Sequence, residues 1–385
     1  YVGEKIGKDK VFFRDSIALS ESYEKFYEYM GSINSKIEYF LIESATPSWE
    51  HDYKLIKNIK NKYPNLKIIV AGPISTSDEN WDSDIVYAVL KGEYEKNIMK
   101  VLEGKNGVLN HDLLTKDEMN SAPFPYYDNN IFDKYFDGNP IPMNVLYPQA
   151  HIWSSRGCPF KCIFCVWPAA MTGNDPHGDG KRSVRQYTPD YIESFLKELT
   201  EKYKFKAIYF DDDTFNIGNR HTEKMSDVMS KFDIPWFAMC RADTSKKETW
   251  KTMADSGCQG VKLGVESGSQ VVVDKIVNKH LDLKYVQEVV SYIRSLEMSV
   301  HGTFTYGLPG ETKEDMIKTK KFIQDTDFST VQESGTAEIE GTPLHTLMNE
   351  EKLTTYPGAI ADENYDRQKD GGKKWQSLVK ELQNN

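Results

Sequence analysis

The sequence predicts an α/β protein of two units, a small Rossmann-like domain followed by a partial (β/α)6, TIM-like barrel. Three observations carry that prediction. Short apolar segments alternate with amphipathic ones along most of the 385 residues, and strands separated by helices imply parallel sheets with right-handed crossovers. The alternation breaks over residues 106–149, where Pro123, Pro125, Tyr126 and Tyr127 cluster among Asn and Asp; such a stretch reads as a linker. From Ala150 it resumes, and six strand–helix units follow in a row to about Pro343, which fits a partial barrel or a doubly wound sheet.

In the first unit, residues 1–105, strands are expected at Lys10–Phe13, Ile37–Ile42, Leu66–Ala71 and Ile85–Leu90. Helices are expected at Glu21–Met30, Tyr53–Lys62 and Glu93–Leu102. In the second, residues 150–345, the strands are His151–Ser154, Ala207–Phe210, Trp236–Met239, Val261–Val265, Val300–Tyr306 and Thr330–Ser334. Helical patterns lie between them, as at Tyr191–Lys202 and Lys284–Ser295. A polar extension, 346–385, carries a turn at Asp370-Gly371-Gly372 before a short helix. The chain opens on Tyr1, and the first unit reads as starting inside its first helix, with an earlier strand lying before it.

Hydrophobic residues are 39% of the chain, enough for a sizeable core. A net charge of −10 argues against a protein that grips nucleic acid by its phosphates. No apolar run approaches the roughly 18 residues of a membrane span, and no secretory signal opens the chain, so a cytoplasmic location is expected. Five cysteines do not make a paired disulfide framework, and three of them fall within eight residues. Cys240 and Cys258 read as buried thiols.

The crowded three lie in Arg156-Gly-Cys158-Pro-Phe-Lys-Cys162-Ile-Phe-Cys165, a CxxxCxxC pattern. The segment follows the first barrel strand, on the face where such barrels carry their active sites. Three thiolates leave one iron of a [4Fe–4S] cubane without a protein ligand. That iron can chelate a molecule offering both an amine and a carboxylate. A structural zinc would want a fourth ligand; the next cysteine is Cys240, and the nearest histidines are His151 and His177.

With Phe164 before its last cysteine, this motif resembles the signature of the radical S-adenosylmethionine (SAM) superfamily, and the resemblance extends over 150–345. It implies a [4Fe–4S] cluster on Cys158, Cys162 and Cys165, and reductive cleavage of SAM to a 5′-deoxyadenosyl radical. It also places Phe164 near the adenine. Phe210-Asp-Asp-Asp-Thr-Phe215 ends the second strand; three adjacent carboxylates repel unless something positive sits among them, and the resemblance gives Asp212 and Asp213 to the SAM amino group. Arg241 either holds a carboxylate through its planar fork or pairs with Asp243. Glu266 and Ser267 fall at the ribose position, and Gly307, Leu308 and Pro309 at the adenine-contacting turn. Glu311 or Thr312 can cap the following helix. Glu340 stands where the family often has Pro, and its facing is open.

The first unit resembles the cobalamin-binding domain that precedes many radical SAM cores. Ala71-Gly72-Pro73-Ile-Ser-Thr76, Lys91-Gly92-Glu93-Tyr-Glu95 and Glu43-Ser44-Ala-Thr46 carry the likeness, at the strand ends where open α/β sheets bind ligands. They nominate Ser44, Gly72, Pro73, Gly92 and Glu93 as cobalamin contacts. The family's histidine loop is absent and its Gly-Gly is Ala71-Gly72, so a Rossmann domain that only buttresses the barrel stands as the other reading. No cysteine occurs in 1–157 or after Cys258, which leaves too few for an ordinary second cluster.

The resemblance implies cobalamin-dependent methyl transfer to carbon or phosphorus. Its alternative is cobalamin-independent cyclisation, rearrangement or carbon–carbon coupling, and a more remote one is a non-catalytic metal or corrinoid carrier. A low-potential electron donor of the flavodoxin or ferredoxin type is implied, with a small-molecule, lipid or peptide substrate. Tyr126, Tyr127, Trp153 and Trp167 could line its pocket, or be core.

Overall fold

The computed structural model describes residues 1–77, 81–128, 130–134, 147–167, 173, 184–337 and 339–349. Asp370-Gly371-Gly372 and His177 lie outside these residues.

Four parallel strands, β1 (Tyr39–Glu43), β2 (Lys67–Ala71), β3 (Val86–Leu90) and β4 (Gly107–Leu109), lie side by side in chain order. Both faces are covered, as crossover helices require. Ile68 and Val70 turn one way, against Met30 and Ile33 of helix Tyr23–Ile33 and Ile56 and Ile59 of helix Trp49–Lys62. Ile69 and Ala71 turn the other way, against Ile98 and Val101 of helix Glu95–Leu102. Period-2 burial on two sides explains why these strands read as continuous apolar runs.

Two expectations change here. Lys10–Phe13 is not a strand. Lys8–Lys10 is a 3-10 turn, and Val11, Phe12 and Phe13 are exposed, with Phe13 meeting the Tyr126 ring edge-on at 6.0 Å. Three apolar residues in a row supplied strand propensity, but no sheet edge among the described residues pairs with them. Conversely, β4 lies within the stretch read as linker. Three residues are too few to show a period, and the sheet, through Ala88↔Gly107 pairing, makes them a strand. The rest of that stretch packs onto the barrel. Helix Lys116–Ser121 opens with a Thr115–Glu118 capping box. Phe124 stacks on Phe195 at 5.0 Å, and Tyr127 meets Tyr203 and Phe205 edge-on. Tyr127 is thus core, while Tyr126, Trp153 and Trp167 are exposed.

The second sheet has six parallel strands: β5 (Gln149–Ile152), β8 (Ala207–Phe210), β9 (Trp236–Cys240), β10 (Cys258–Glu266), β11 (Ser299–Tyr306) and β12 (Thr330–Gly335). Between β5 and β8 in the chain, β6 (Ser155–Arg156) and β7 (Arg185–Gln186) form a separate antiparallel pair. The spatial order β5-β8-β9-β10-β11-β12 follows the chain throughout. Such a singly wound sheet curls as a partial barrel with its helices outside, at Pro189–Glu201, Asn219–Met229, Lys247–Asp255, Leu283–Ser295 and Lys313–Asp325. The outer strand faces and these helices share one apolar core, from Ala150 and Ile152 through Phe210, Trp236 and Val261 to Phe304 and Tyr306. No helix among the described residues is long and apolar enough to cross a membrane.

Candidate functional site at the carboxyl ends of the barrel strands

The cysteine loop leaves the sheet at the end of β5. Gly157 turns it with φ of +96°. Its backbone is then fastened from outside. Asn278 Nδ2 donates to the Lys161 carbonyl (3.0 Å), Ile163 N donates to the Val277 carbonyl (3.0 Å), and Leu344 N donates to the Ile163 carbonyl (2.9 Å). Cys162 and Phe164 pack against Val272, Val277 and Leu308. The turn of Leu308 and the aromatic before the last cysteine therefore share one apolar surface.

Burial pushes the Cys158 thiol up, and pushes Cys165 far up; negative charge on the neighbouring cysteines adds to both. Three thiolates cannot stay together here without positive charge among them. Among the described residues no three His, Cys, Asp or Glu converge as one metal ion needs. The three thiolates of a cubane bind three different irons and need not converge on a point, so this donor set fits a cluster. His151 is turned to Asp211 (3.5 Å), and Cys240 and Cys258 are buried in the core.

The acidic tip after β8 divides its work. Asp212 is buried and accepts from Ser154 N (3.0 Å), Ser154 Oγ (2.8 Å) and Ser155 Oγ (2.6 Å). It roots the cysteine loop, and burial pushes its pKa up to about 6. Asp213 accepts from Gly157 N (3.1 Å) and is also pushed to about 6 by burial. Its charge raises the thiols of both Cys158 and Cys165, so it is the carboxylate beside the cysteines.

Arg241 takes the internal option. Its Nε donates to Asp243 Oδ1 (2.5 Å), and its Nη2 to Asp243 Oδ2 (3.0 Å) and the Lys279 carbonyl (2.5 Å). The guanidinium lies 3.8 Å from the centroid of the Phe160 ring, and only Nη1 is buried without a hydrogen-bond partner. Glu266 closes β10 with φ of +75°. Its Oε1 accepts from Lys279 Nζ (2.9 Å) and its Oε2 from Thr305 Oγ1 (3.2 Å). A Cβ at Gly264 would come within 2.7 Å of Glu266 Oε1 and 2.8 Å of Lys279 Nζ, so the ion pair occupies the space the glycine leaves. Ser267 Oγ lies 3.0 Å from Thr319 Oγ1 and accepts from Ser269 N (3.1 Å), which turns it toward helix Lys313–Asp325.

After β11, Gly307 and Gly310 take φ of +77° and +83° around Leu308 and Pro309. Thr312 caps the next helix in a capping box with Asp315. Glu311 instead holds the turn: its Oε2 accepts from Gly307 N (2.7 Å) and Leu308 N (3.2 Å). Burial outweighs those two donors and pushes Glu311 up to about 8. A carboxylate raised in the folded state contributes fully below the ordinary value of 4.5, and that contribution is lost as pH rises through about 8. Glu311→Gln removes this titration. The variant should gain on the wild type by a few kcal/mol between pH 5 and pH 9, read from urea midpoints; parallel profiles for the two proteins refute it.

The carboxyl ends of the first sheet meet this loop. A Cβ at Gly72 (φ +86°) would lie 2.7 Å from the Ser44 carbonyl, so two adjacent strand ends approach at the glycine. Ser44 Oγ donates to Asp52 (2.6 Å), and Pro73 opens a buried 3-10 turn, Pro73–Thr76. At its end Thr76 Oγ1 donates to the Pro73 carbonyl (2.7 Å) and lies 3.3 Å from the Glu340 carbonyl. Gly92 turns with φ of +76° into Glu93, which is 2% exposed. Glu93 ion-pairs with Arg185 and, at 3.3 Å, with Arg156, and accepts from Leu114 N (3.2 Å). Arg156 also reaches Glu95 (2.8 Å). The β6–β7 pair that starts the cysteine loop is thereby bonded to the first sheet.

Residues 154–323 match the radical SAM superfamily. They are a radical SAM domain. An uncharacterized methyltransferase of Pyrococcus horikoshii is 27% identical over 329 residues, 78% of this chain and 67% of that protein. The cytidylyl-2-hydroxyethylphosphonate methyltransferase of Streptomyces wedmorensis is 27% identical over 240 residues, 59% of this chain and 43% of that protein, so the chain spans less than half of that relative. The radical SAM methyltransferase TsrM from Kitasatospora setae, with tryptophan and a SAM analogue bound, shares the fold. Its TM-score is 0.69 at 14% identity, over 90% of this chain and 75% of that one. The same enzyme with cobalamin and a [4Fe–4S] cluster bound gives 0.67.

Sequence reasoning missed one group within the radical SAM domain and the partners of another before it. Lys279, the buried partner of Glu266, sits after a π-helical turn between Asn278 and His280, both at positive φ. No periodicity marks it. Glu93 was nominated for cobalamin, yet its carboxylate is taken up by two arginines distant in the chain.

Proposed function

We propose that this chain is a radical SAM enzyme that methylates carbon or phosphorus with cobalamin as second cofactor. The names of its relatives support methyl transfer. The observation that carries the cobalamin part is the meeting of the two sheets. The loops after β2 and β3 reach the barrel through Thr76 and Glu93, and Arg156, two residues before Cys158, is one of the anchors. A ligand on that sheet edge lies beside the cysteine loop.

When bound, the cluster and SAM supply a 5′-deoxyadenosyl radical by reductive cleavage, and cobalamin supplies a methyl carrier. The chain's own part is to hold and exclude. Cys158, Cys162 and Cys165 hold three irons. Asp213 accepts the SAM ammonium, and Phe164 with Leu308 and Pro309 gives the adenine an apolar seat. Glu266, held by Lys279, turns its remaining acceptor capacity to the ribose. Ser44, Gly72, Pro73 and Gly92 border the corrin, with Gly72 leaving backbone exposed to close approach. A flavodoxin or ferredoxin of the cytoplasm delivers the electron.

The deciding measurement is the corrinoid content of the anaerobically reconstituted protein after removal of free hydroxocobalamin. Stoichiometric corrinoid absorbance is expected. A protein with an intact cluster and no corrinoid would instead be left with cobalamin-free radical chemistry.

A further inference from the structure

The cysteine loop is tied to the first sheet at both of its ends. Arg156, two residues before Cys158, pairs with Glu95 (2.8 Å) and Glu93 (3.3 Å), from the loop and helix that follow β3. The second tie runs through residues 339–344, beyond β12. Leu344 N donates to the carbonyl of Ile163, between Cys162 and Cys165 (2.9 Å). Three residues earlier, Gly341 lies against Thr76, at the end of the Pro73–Thr76 turn. A Cβ at Gly341 would come within 2.4 Å of Thr76 Oγ1 and 2.8 Å of Thr76 Cβ. The two contacts sit at most about 11 Å apart along the chain.

The piece between them is built stiff. Thr342 is fully buried, and its N–H (3.2 Å) and Oγ1 (2.6 Å) both donate to the Ile339 carbonyl. The same Oγ1 accepts from His345 N (3.2 Å). Pro343 fixes the backbone where helix Pro343–Asn349 begins, and Leu344 is fully buried. Gly341 takes φ of +85°, and at that contact only a hydrogen fits. A turn with its own bonds, seated without slack on one loop of each unit, is a spacer and not a tether.

We propose that the 339–344 turn sets the separation between the ligand edge of the first sheet and the cysteine loop, with Gly341 and Thr76 as its positioning residues. What the edge holds rests on the cobalamin reading above. Neither residue acts on a reacting atom; both act through the loops they hold apart. Misplacing reacting groups by about 1 Å costs on the order of a hundredfold in rate. The contact therefore bears on transfer between the two cofactors, and little on SAM cleavage, which takes place within the barrel.

The test places a nitroxide on an added cysteine, Lys54→Cys, exposed on helix Trp49–Lys62 over the first sheet. Pulsed dipolar EPR reads its distance to the reduced cluster. Cys240 and Cys258 are buried and the other three hold the cluster, so the label goes to one place. Gly341→Ala sets at 2.4 Å two atoms that need about 3.5 Å, so the distance distribution should shift or broaden by about 1 Å. Thr76→Leu presses on the same contact without strain at residue 341 and should do likewise. Adding Thr76→Gly to Gly341→Ala should restore the wild-type distribution. With reductant and hydroxocobalamin, both single variants should lose roughly tenfold or more in S-adenosylhomocysteine formed per 5′-deoxyadenosine, with the 5′-deoxyadenosine rate within about twofold of wild type. Unchanged distances in the single variants, no restoration in the double variant, or equal loss of both products overturns the proposal. Wild-type protein that takes up no corrinoid removes the cobalamin reading alone, because the nitroxide distances decide the spacer without it.

Discussion

Alanine at Cys158, Cys162 or Cys165 should abolish iron–sulfur absorbance and 5′-deoxyadenosine formation while leaving the protein folded. Loss of any one thiolate leaves two, and two do not hold a site-differentiated cubane. The fold should survive because other bonds secure the loop. Ile163 is tied at both its N–H and its carbonyl, Asn278 holds Lys161, and Asp212 holds the Ser154 and Ser155 hydroxyls. Cys240→Ala is the contrasting case. That side chain is buried in the barrel core, so its loss should cost stability and leave the iron content alone. Circular dichroism, iron analysis and product chromatography separate these outcomes. A triplet variant that still produced 5′-deoxyadenosine would remove the basis for assigning the cluster to these residues.

Replacing Glu93 with Ala should cost about 3–5 kcal/mol. The glutamate is buried between Arg185 and Arg156, whose side chains are 13% and 27% exposed. Removing it leaves the buried Arg185 guanidinium without a counter-charge, beside an Arg156 that keeps only Glu95 (2.8 Å). The unfolding curve in urea should also split, because Glu93 joins the first sheet to the β6–β7 pair. Arg185→Met tests the same link from the other side and should be the milder change, since Arg156 still neutralises the carboxylate. A single transition with an unchanged midpoint in Glu93→Ala would show that the join lies elsewhere.

Much of the architecture could be read from residue order alone, for identifiable reasons. Ile68 to Ala71 and Ala207 to Phe210 are buried on both faces, so they read as continuous apolar runs. Leu283–Ser295 announces itself by helical spacing and by Asp282, which caps it with two accepted N–H bonds. The CxxxCxxC loop was legible because its three ligands are local in the chain. What escaped depended on partners remote in sequence. β4 needs β3 beside it, and Val11 to Phe13 have no strand beside them among the described residues. Ser267 turned to Thr319, and Glu93 found arginines 63 and 92 positions away. None of these pairings leaves a trace in local composition.

The alternation along each barrel strand also bears on how such a protein changes over generations. One side of β8 to β11 packs against helices, and on the other Ala207, Tyr209 and Phe237 form a smaller buried cluster with Met239 against it. Exchange on either side of these strands therefore disturbs a packed layer, whereas a change in the loops that follow the strands leaves both layers alone. Sequence drift that preserves the fold is expected to gather in those loops, so the same strands can carry new chemistry without being rebuilt.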